Sequence, residues 1–353
     1  MKKIFIGTIV PPDIVDKMER ISFASINYQT KVLKATHFDE VYNILPLNVD
    51  RISKKIFFED GMCYLHNKYL NSKLLKLLFD QIFLFRKVEE KSKIIFYNIT
   101  IQNFLLTRLL VFFKKCECYA IVADFEDEEN YLGLRKIVQK NINRTFKKLS
   151  GAIILSSNIQ IPTKSIVLEG IVDSEMNQLS QNRIEENSII FSGSIGYTTG
   201  IHIAVAAMNF LPDYKLYISG PLFDLDSTDL KRLVKSSVHN NVYYMGILDN
   251  EKYLELLSIC NYALNLRDPH KLEHQHNFPS KILEYLMYNK NVISTLNYSA
   301  VSKCITLTEF DAEKLAATIK NTSNAPNKNS RDYVLDKFGL PTFNNAIETL
   351  LIK

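Results

Sequence analysis

Apolar residues along this chain recur in two rhythms. Short unbroken apolar runs alternate with longer stretches in which apolar positions return every three or four residues. The first rhythm marks strands buried on both faces, as in a parallel sheet. The second marks amphipathic helices. Strands are expected at 2–7, 38–45, 93–98, 119–122, 151–156 and 165–168, with helices at 13–35, 67–87, 101–115 and 131–149. Residues 176–187 are polar and read as a linker. The alternation then resumes, with strands at 188–192, 215–219, 241–246, 260–266 and 292–295 and helices at 201–210, 230–237, 251–258, 281–287 and 310–321. A polar stretch at 323–331 precedes a last amphipathic helix at 342–352. Strand–helix alternation in two halves predicts an α/β chain of two Rossmann-like domains, 1–174 and 175–335, with a tail at 336–353. The 353 residues suffice for two domains of ordinary size.

Residues 276–295 hold the most chemically suggestive stretch. Pro279 and Ser280 are good residues for opening a helix. Ile282, Leu283, Leu286 and Met287 give it one apolar face, and Asn289-Lys290-Asn291 breaks it before a short buried strand. A loop-to-helix junction aims backbone N–H groups at an anion, and Lys281 adds a cation. Glu284 follows one turn on, nearly on the same face, where it suits hydroxyls. A phosphate site at one end and a diol site one turn along fit a nucleoside diphosphate. Earlier, Gly193-Ser194-Ile195-Gly196-Tyr197-Thr198-Thr199-Gly200 follows a strand and opens a helix, and its small residues permit close backbone approach to phosphates.

These motifs resemble the donor-binding signature of GT-B glycosyltransferases, specifically the glycogen-synthase-like (glycosyltransferase family 4-like) group. The likeness rests on Phe278-Pro279-Ser280-Lys281-Ile282-Leu283-Glu284-Tyr285-Leu286, on Gly220-Pro221, and on Asn241-Val242-Tyr243-Tyr244-Met245-Gly246. Ser165–Asp173 is similar to the segment that closes the first domain, with Glu169 where the family has Asn. The resemblance implies two Rossmann-like domains facing a central cleft, with a final helix crossing back to the first domain. It implies a metal-independent, retaining transfer of sugar from a UDP- or GDP-linked donor to a glycan, lipid-linked or protein-linked acceptor, as in bacterial surface polysaccharide or glycoconjugate assembly. No further cofactor is implied.

The donor set it carries over is Gly193, Ser194, Gly220, Arg267, Asn277, Phe278, Ser280, Lys281 and Glu284, with Glu284 on the ribose. Three positions depart from the family pattern. His276 replaces the first acid of the signature, and Ser194 and Thr199 replace an Arg–Lys pair that neutralises phosphate. Lys281 and Arg267 are then left to supply that charge. Otherwise the chain is an inactive subunit or scaffold for an active partner. A nucleotide-sugar epimerase is a third reading, but the carboxylate-rich constellation it needs is not evident.

Other features adjust this picture. The acidic run Asp124-Phe125-Glu126-Asp127-Glu128-Glu129 follows a strand end, the edge that faces the crevice in open α/β sheets. Asp124 and Asp127 are candidates to orient or deprotonate the acceptor, and an acidic helix start is the alternative use of the same run. His276 is a further catalytic candidate. The spacing of His270, His274 and His276 lacks a helix or paired carboxylate to set metal geometry, and no metal site is expected. Helix 67–87 interleaves leucines with lysines, which fits a core helix with a solvated basic face or peripheral contact with a membrane. The core reading is preferred. Net charge is +5, with basic residues scattered, so nucleic acid is not an expected partner. Five irregularly spaced cysteines and no apolar run long enough to span a bilayer predict a cytoplasmic chain with reduced thiols, peripheral at most on the inner face of the membrane.

Overall fold

The computed structural model describes residues 1–11, 23–45, 56–65, 72–123, 125–175, 184–271, 274, 278–323 and 329–352. The chain forms two compact units: Met1–Ile171 with Leu340–Lys353, and Val172–Gly339.

The first unit begins with β1 (Lys3–Gly7), α1 (Phe23–Ala35) and β2 (Glu40–Ile44), then β3 (Ile56–Glu59) and β4 (Met62–Leu65). It continues through α2 (Lys73–Lys87), β5 (Lys93–Tyr97), α3 (Phe104–Lys114), β6 (Glu117–Val122), α4 (Gly133–Thr145), β7 (Gly151–Ile154) and β8 (Ser165–Val167). The strand order is β3-β4-β2-β1-β5-β6-β7-β8. All neighbours run parallel except β3 and β4, which form an antiparallel hairpin. Its turn is Asp60-Gly61, both at positive φ, the pairing a two-residue hairpin turn demands.

Strand alternation sorts the apolar side chains onto the two faces of this sheet. Ile4 and Ile6 share one layer with Ile94, Phe96, Ala120 and Val122, covered by Leu84, Leu106 and Ile142 from α2, α3 and α4. Phe5, Ile95, Tyr119, Ile121 and Ile153 face the other way, toward Val32 of α1. Burying each such side chain contributes roughly 1.5–3 kcal/mol.

The second unit carries β9 (Glu185–Ser192), α5 (Ile201–Ala207), β10 (Lys215–Ser219), α6 (Ser227–Lys235), β11 (Val242–Tyr244), α7 (Asn250–Ile259), β12 (Cys260–Asn265), α8 (Ser280–Met287), β13 (Asn291–Ser294), β14 (Ile305–Leu307), α9 (Ala312–Asn321) and α10 (Ser330–Phe338). Its sheet is wholly parallel in the order β11-β10-β9-β12-β13-β14. Ile189, Phe191, Leu264 and Ile293 pack on one face, and Ile190, Ala263 and Val292 on the other.

The last helix, α11 (Leu340–Ile352), belongs to the first unit, where Phe343, Ile347, Leu350 and Leu351 complete the layer around Phe5 and Val32. Lys3 ties to it through an ion pair with Glu348 at 2.6 Å.

Two segments read as linkers are in part regular structure. Strand β9 already starts at Glu185, where Lys215 on the neighbouring strand pairs with that carboxylate at 2.5 Å. Helix α10 starts at Ser330, inside the polar stretch 323–331. The Ser330 hydroxyl donates to the Leu286 carbonyl at 3.0 Å, and the Arg331 guanidinium donates to that of Met287 at 3.2 Å. These bonds cap the exposed carbonyls at the C-terminus of α8. The tail 336–353 is therefore not one element. Phe338 ends a helix of the second unit, and Leu340 opens the returning one.

Candidate functional site

In an open α/β sheet, ligands bind beyond the carboxyl ends of the strands where the strand order reverses. In the second unit that point lies between β9 and β12, because β10 lies on one side of β9 and β12 on the other. Ser192 and Gly193 end the first of these strands, and Leu266 and Arg267 follow the second.

Three elements meet there through one chain of polar contacts. The Ser192 hydroxyl lies 2.8 Å from the Tyr285 hydroxyl and donates to that of Tyr253 at 3.3 Å. The Tyr253 hydroxyl donates to Glu284 Oε2 at 2.9 Å, and the Lys281 ammonium donates to the same oxygen at 2.6 Å. That ammonium also stands over the Tyr253 ring, 4.0 Å from its centroid, a cation–π contact. Tyr253 comes from α7, and Lys281, Glu284 and Tyr285 from α8. Burial, followed by the neighbouring Glu284 carboxylate, pushes the Tyr253 hydroxyl well above its ordinary pKa. It therefore stays a neutral donor to Glu284. Tyr285 is raised mainly by burial and stays protonated too.

The local sequence explains why α8 presents these groups. Pro279 is extended at φ −76° and ψ 111° and stands at the helix cap. Phe278, before it, packs its ring edge-on to Tyr298 at 5.4 Å and near Phe338 at 6.2 Å. Ile282, Leu283, Tyr285, Leu286 and Met287 are buried, which leaves Lys281 and Glu284 on the open side. Asn289 leaves the helix at positive φ (54°).

The glycine-rich loop after β9 is braced from within. Gly193 (φ 118°) has open space where a Cβ would stand, whereas a Cβ on Gly220 (φ 145°) would lie 1.8 Å from the Gly193 carbonyl oxygen. Gly220 thus serves close approach between two loops, and Gly193 leaves its backbone uncovered. Thr199 is buried: its hydroxyl accepts from the Gly196 N–H at 2.9 Å and lies 2.8 Å from the Ser194 carbonyl. The Asp224 carboxylate accepts from the N–H groups of Tyr197 and Thr198 at 2.5 and 3.0 Å, and these bonds lower its pKa despite partial burial. Two amides aimed at an anion thus already hold one of the chain's own. Ser194 is exposed at the loop's rim.

Arg267 anchors its backbone on Thr295, whose hydroxyl accepts from the Arg267 N–H at 2.8 Å and donates to its carbonyl at 2.7 Å. The positive charge of its guanidinium acts on the Tyr285 and Tyr298 hydroxyls. Among the described residues that guanidinium has no ion pair. The structure therefore gathers Gly193, Gly220, Arg267, Lys281 and Glu284 around one sheet edge, with Ser280 exposed at the head of α8.

Asp124, His276 and Asn277 lie outside the described residues. Asp127 is exposed and caps the short turn Glu128–Asn130, accepting from the Glu129 N–H at 3.0 Å. His274 is buried, with Nδ1 3.2 Å from the Asp268 carbonyl. Among the described residues no three His, Cys, Asp or Glu side chains converge on a metal position. No helix among them is long and apolar enough to cross a membrane. Sequence reasoning passed over Tyr253, Asp224 and Ser192. Each acts across 26 residues or more (Asp224 on Thr198, Tyr253 on Glu284, Ser192 on Tyr253). The only local sign is the aromatic at 253 beside the capping Asp249.

No protein-family model matches the chain, and no curated protein does. Solved structures match over its full length. Sucrose-phosphate synthase from Thermosynechococcus elongatus superposes with a TM-score of 0.71 at 13% identity, covering 100% of this chain and 98% of that one. HepE from Anabaena, solved in complex with UDP and glucose, gives 0.68 at 14% identity, with 100% of both chains covered. The trehalose-6-phosphate synthase OtsA gives 0.68 at 9% identity, with 99% of both covered. The shared feature is the fold. This chain has the GT-B fold of two Rossmann-like units that its sequence motifs implied.

Proposed function

We propose that this chain is a glycosyltransferase that moves a sugar from a nucleoside diphosphate donor to an acceptor hydroxyl. The carrying observation is the Lys281–Glu284–Tyr253 cluster at the head of α8, at the point where the strand order reverses. Glu284 is held by two donors and keeps acceptor capacity for the two hydroxyls of a ribose. Lys281 and Arg267 offer cations for a diphosphate, and the first-turn N–H groups of α8 add partial positive charge. The HepE and sucrose-phosphate synthase structures, alike in fold, support this reading, the first through its UDP and glucose.

In the proposed reaction the bond between the anomeric carbon and the diphosphate oxygen breaks, and the acceptor oxygen takes that carbon. Charge grows on the departing diphosphate, where Lys281 and Arg267 stabilise it without a metal ion. On a retaining course the acceptor arrives on the face the diphosphate leaves, so the departing oxygen is within reach of the acceptor proton. The proposed acceptor is a glycan, lipid-linked or protein-linked, in surface polysaccharide or glycoconjugate assembly on the cytoplasmic side.

One observation favours a second reading, an inactive GT-B subunit. Thr199 is spent as an internal brace, and Asp224 fills the amides at Tyr197 and Thr198. Calorimetric titration with UDP, GDP and ADP, followed by product analysis with the matching sugar donors, separates the two. Selective binding and a glycosylated product support the enzyme. Selective binding without product supports the inactive subunit, and no binding by folded protein removes the donor site altogether.

A further inference from the structure

Basic residues that look scattered along the sequence are gathered by the fold. Residues 104–115 and 133–148, essentially α3, α4 and the turns that end them, contain nine Lys and Arg and no Asp or Glu. The whole chain carries only +5, so everything outside these two segments is net negative. The two helices pack together: the Arg108 guanidinium bonds the Thr145 hydroxyl at 2.9 Å and the Asn141 carbonyl at 2.5 Å.

Between them runs a groove of about 640 Å³, lined by Arg108, Phe112, Phe113, Asn141, Arg144 and Lys148 among others, and none of its lining residues is acidic. Phe112 is 77% exposed and Phe113 62%, with their rings edge to face at 4.9 Å. Single exposed apolar side chains are ordinary, but two adjoining exposed rings make a contiguous apolar patch. Phe113 also meets Phe85 of α2 at 6.4 Å, and Ile137 lies exposed one turn before Asn141. Arg144, Lys147 and Lys148 are exposed. Among the described residues none of these three has an ion pair.

We propose that this α3–α4 face docks on an anionic lipid bilayer, with Phe112 and Phe113 entering the headgroup boundary and Arg144, Lys147 and Lys148 on lipid phosphates. Charge complementarity selects an anionic partner. The exposed aromatic pair selects a hydrocarbon boundary rather than a phosphate backbone alone. The inference does not depend on the transferase reading. It places the contact on α3 and α4; for the helix at 67–87 the sequence reading prefers a core role, with membrane contact as the alternative.

The test is co-sedimentation of the full chain with vesicles of phosphatidylcholine, with and without phosphatidylglycerol. Binding is expected only with phosphatidylglycerol, and it should weaken as salt is raised. Arg144→Gln with Lys148→Gln should weaken it roughly fivefold per cation removed. Phe112→Ser with Phe113→Ser should reduce it severalfold while circular dichroism shows an intact fold. Failure of the wild-type chain to bind, equal binding to neutral vesicles, or binding indifferent to both pairs of substitutions would overturn the proposal. So would tight binding to a single-stranded RNA oligonucleotide that survives the phenylalanine substitutions, with no vesicle binding.

Discussion

The two units share one architecture and finish their central strands differently. In the first, the loop after β1 is pinned by neutral amides: Gln29 Oε1 accepts from the Thr8 N–H at 2.8 Å, and Asn43 Oδ1 from that of Ile9 at 3.0 Å. Both side chains are fully buried. In the second, the corresponding edge holds Lys281, Glu284 and Arg267, partly open to solvent. Neutral amides fix a backbone, while the second edge keeps ionised groups near solvent: the Lys281–Glu284 pair and the Arg267 guanidinium, which has no ion pair among the described residues. The contrast is the reason the proposed donor site is put in the second unit.

The largest effect expected from this contrast concerns glycine. A Cβ on Gly220 would stand 1.8 Å from a backbone carbonyl, at a φ of 145°. On Gly7 it would meet the side chains of Gln29 and Phe5 at 2.5 and 2.6 Å. Side chains yield more readily than backbone. Gly220→Ala should cost on the order of 3 kcal/mol or more, and Gly7→Ala less. Denaturant unfolding of both variants checks this, and equal losses would erase the distinction.

Next come the charged groups. Lys281→Ala and Glu284→Ala should each weaken nucleotide binding by roughly 10- to 100-fold, the worth of one charge-assisted hydrogen bond. Gln29→Ala, in the first unit, should leave nucleotide affinity within about twofold if the donor contacts are confined to the second. A large loss of affinity in that variant, measured by the same calorimetry, would contradict the division of labour.

The units also bury opposite charges, with opposite pH slopes. Asp80 is buried in α2, and burial raises its carboxyl to about 7. Stability from this group is full below its unfolded value near 4 and is lost as pH rises through 7. Lys290 is buried between α8 and β13, donates to the Ser258 carbonyl at 2.8 Å, and is lowered by burial to about 8. Its contribution is present above the unfolded value near 10.5 and is lost as pH falls through 8. A tenfold change in proton affinity on folding is worth roughly 1.4 kcal/mol. Asp80→Asn should flatten stability between pH 4 and 7, and Lys290→Met between pH 8 and 10.5, each by roughly 2–4 kcal/mol. Unfolding curves across both windows that match wild type would show these groups to be better solvated than their burial implies.

What was legible in the sequence follows the same division. The strand and helix rhythm and the head of α8 were readable because they depend on neighbours: Pro279 before Ser280, and apolar positions one turn apart. The β3–β4 hairpin carried a readable turn in Asp60-Gly61 but lay in a stretch with no strong period. Helix α10 was not legible, and its first two residues read as linker, because its two deeply buried apolar side chains, Val334 and Phe338, sit among polar residues, and its anchor is the far end of α8. Asp224, Tyr253 and the basic α3–α4 face were invisible for one reason. Their meaning lies in partners distant along the chain.

Tyr253 offers the smallest and most diagnostic effect. Its hydroxyl serves Glu284 and its ring serves Lys281, so the two roles can be separated. Tyr253→Phe keeps the ring under the ammonium and removes the donor that orients the carboxylate. If Glu284 holds the ribose, UDP affinity should fall about three- to tenfold, one ordinary hydrogen bond. The affinity of a 2′,3′-dideoxy analogue should be unchanged, because that analogue never engaged the carboxylate. Tyr253→Leu removes the ring as well and should weaken the dideoxy analogue too, with UDP still losing the larger share. An equal loss for both ligands in Tyr253→Phe would mean that the hydroxyl acts only on packing, and that Glu284 is oriented by Lys281 alone. Wild-type titrations with the same ligands supply the reference, so a weak effect in the variant cannot be confused with the absence of a nucleotide site.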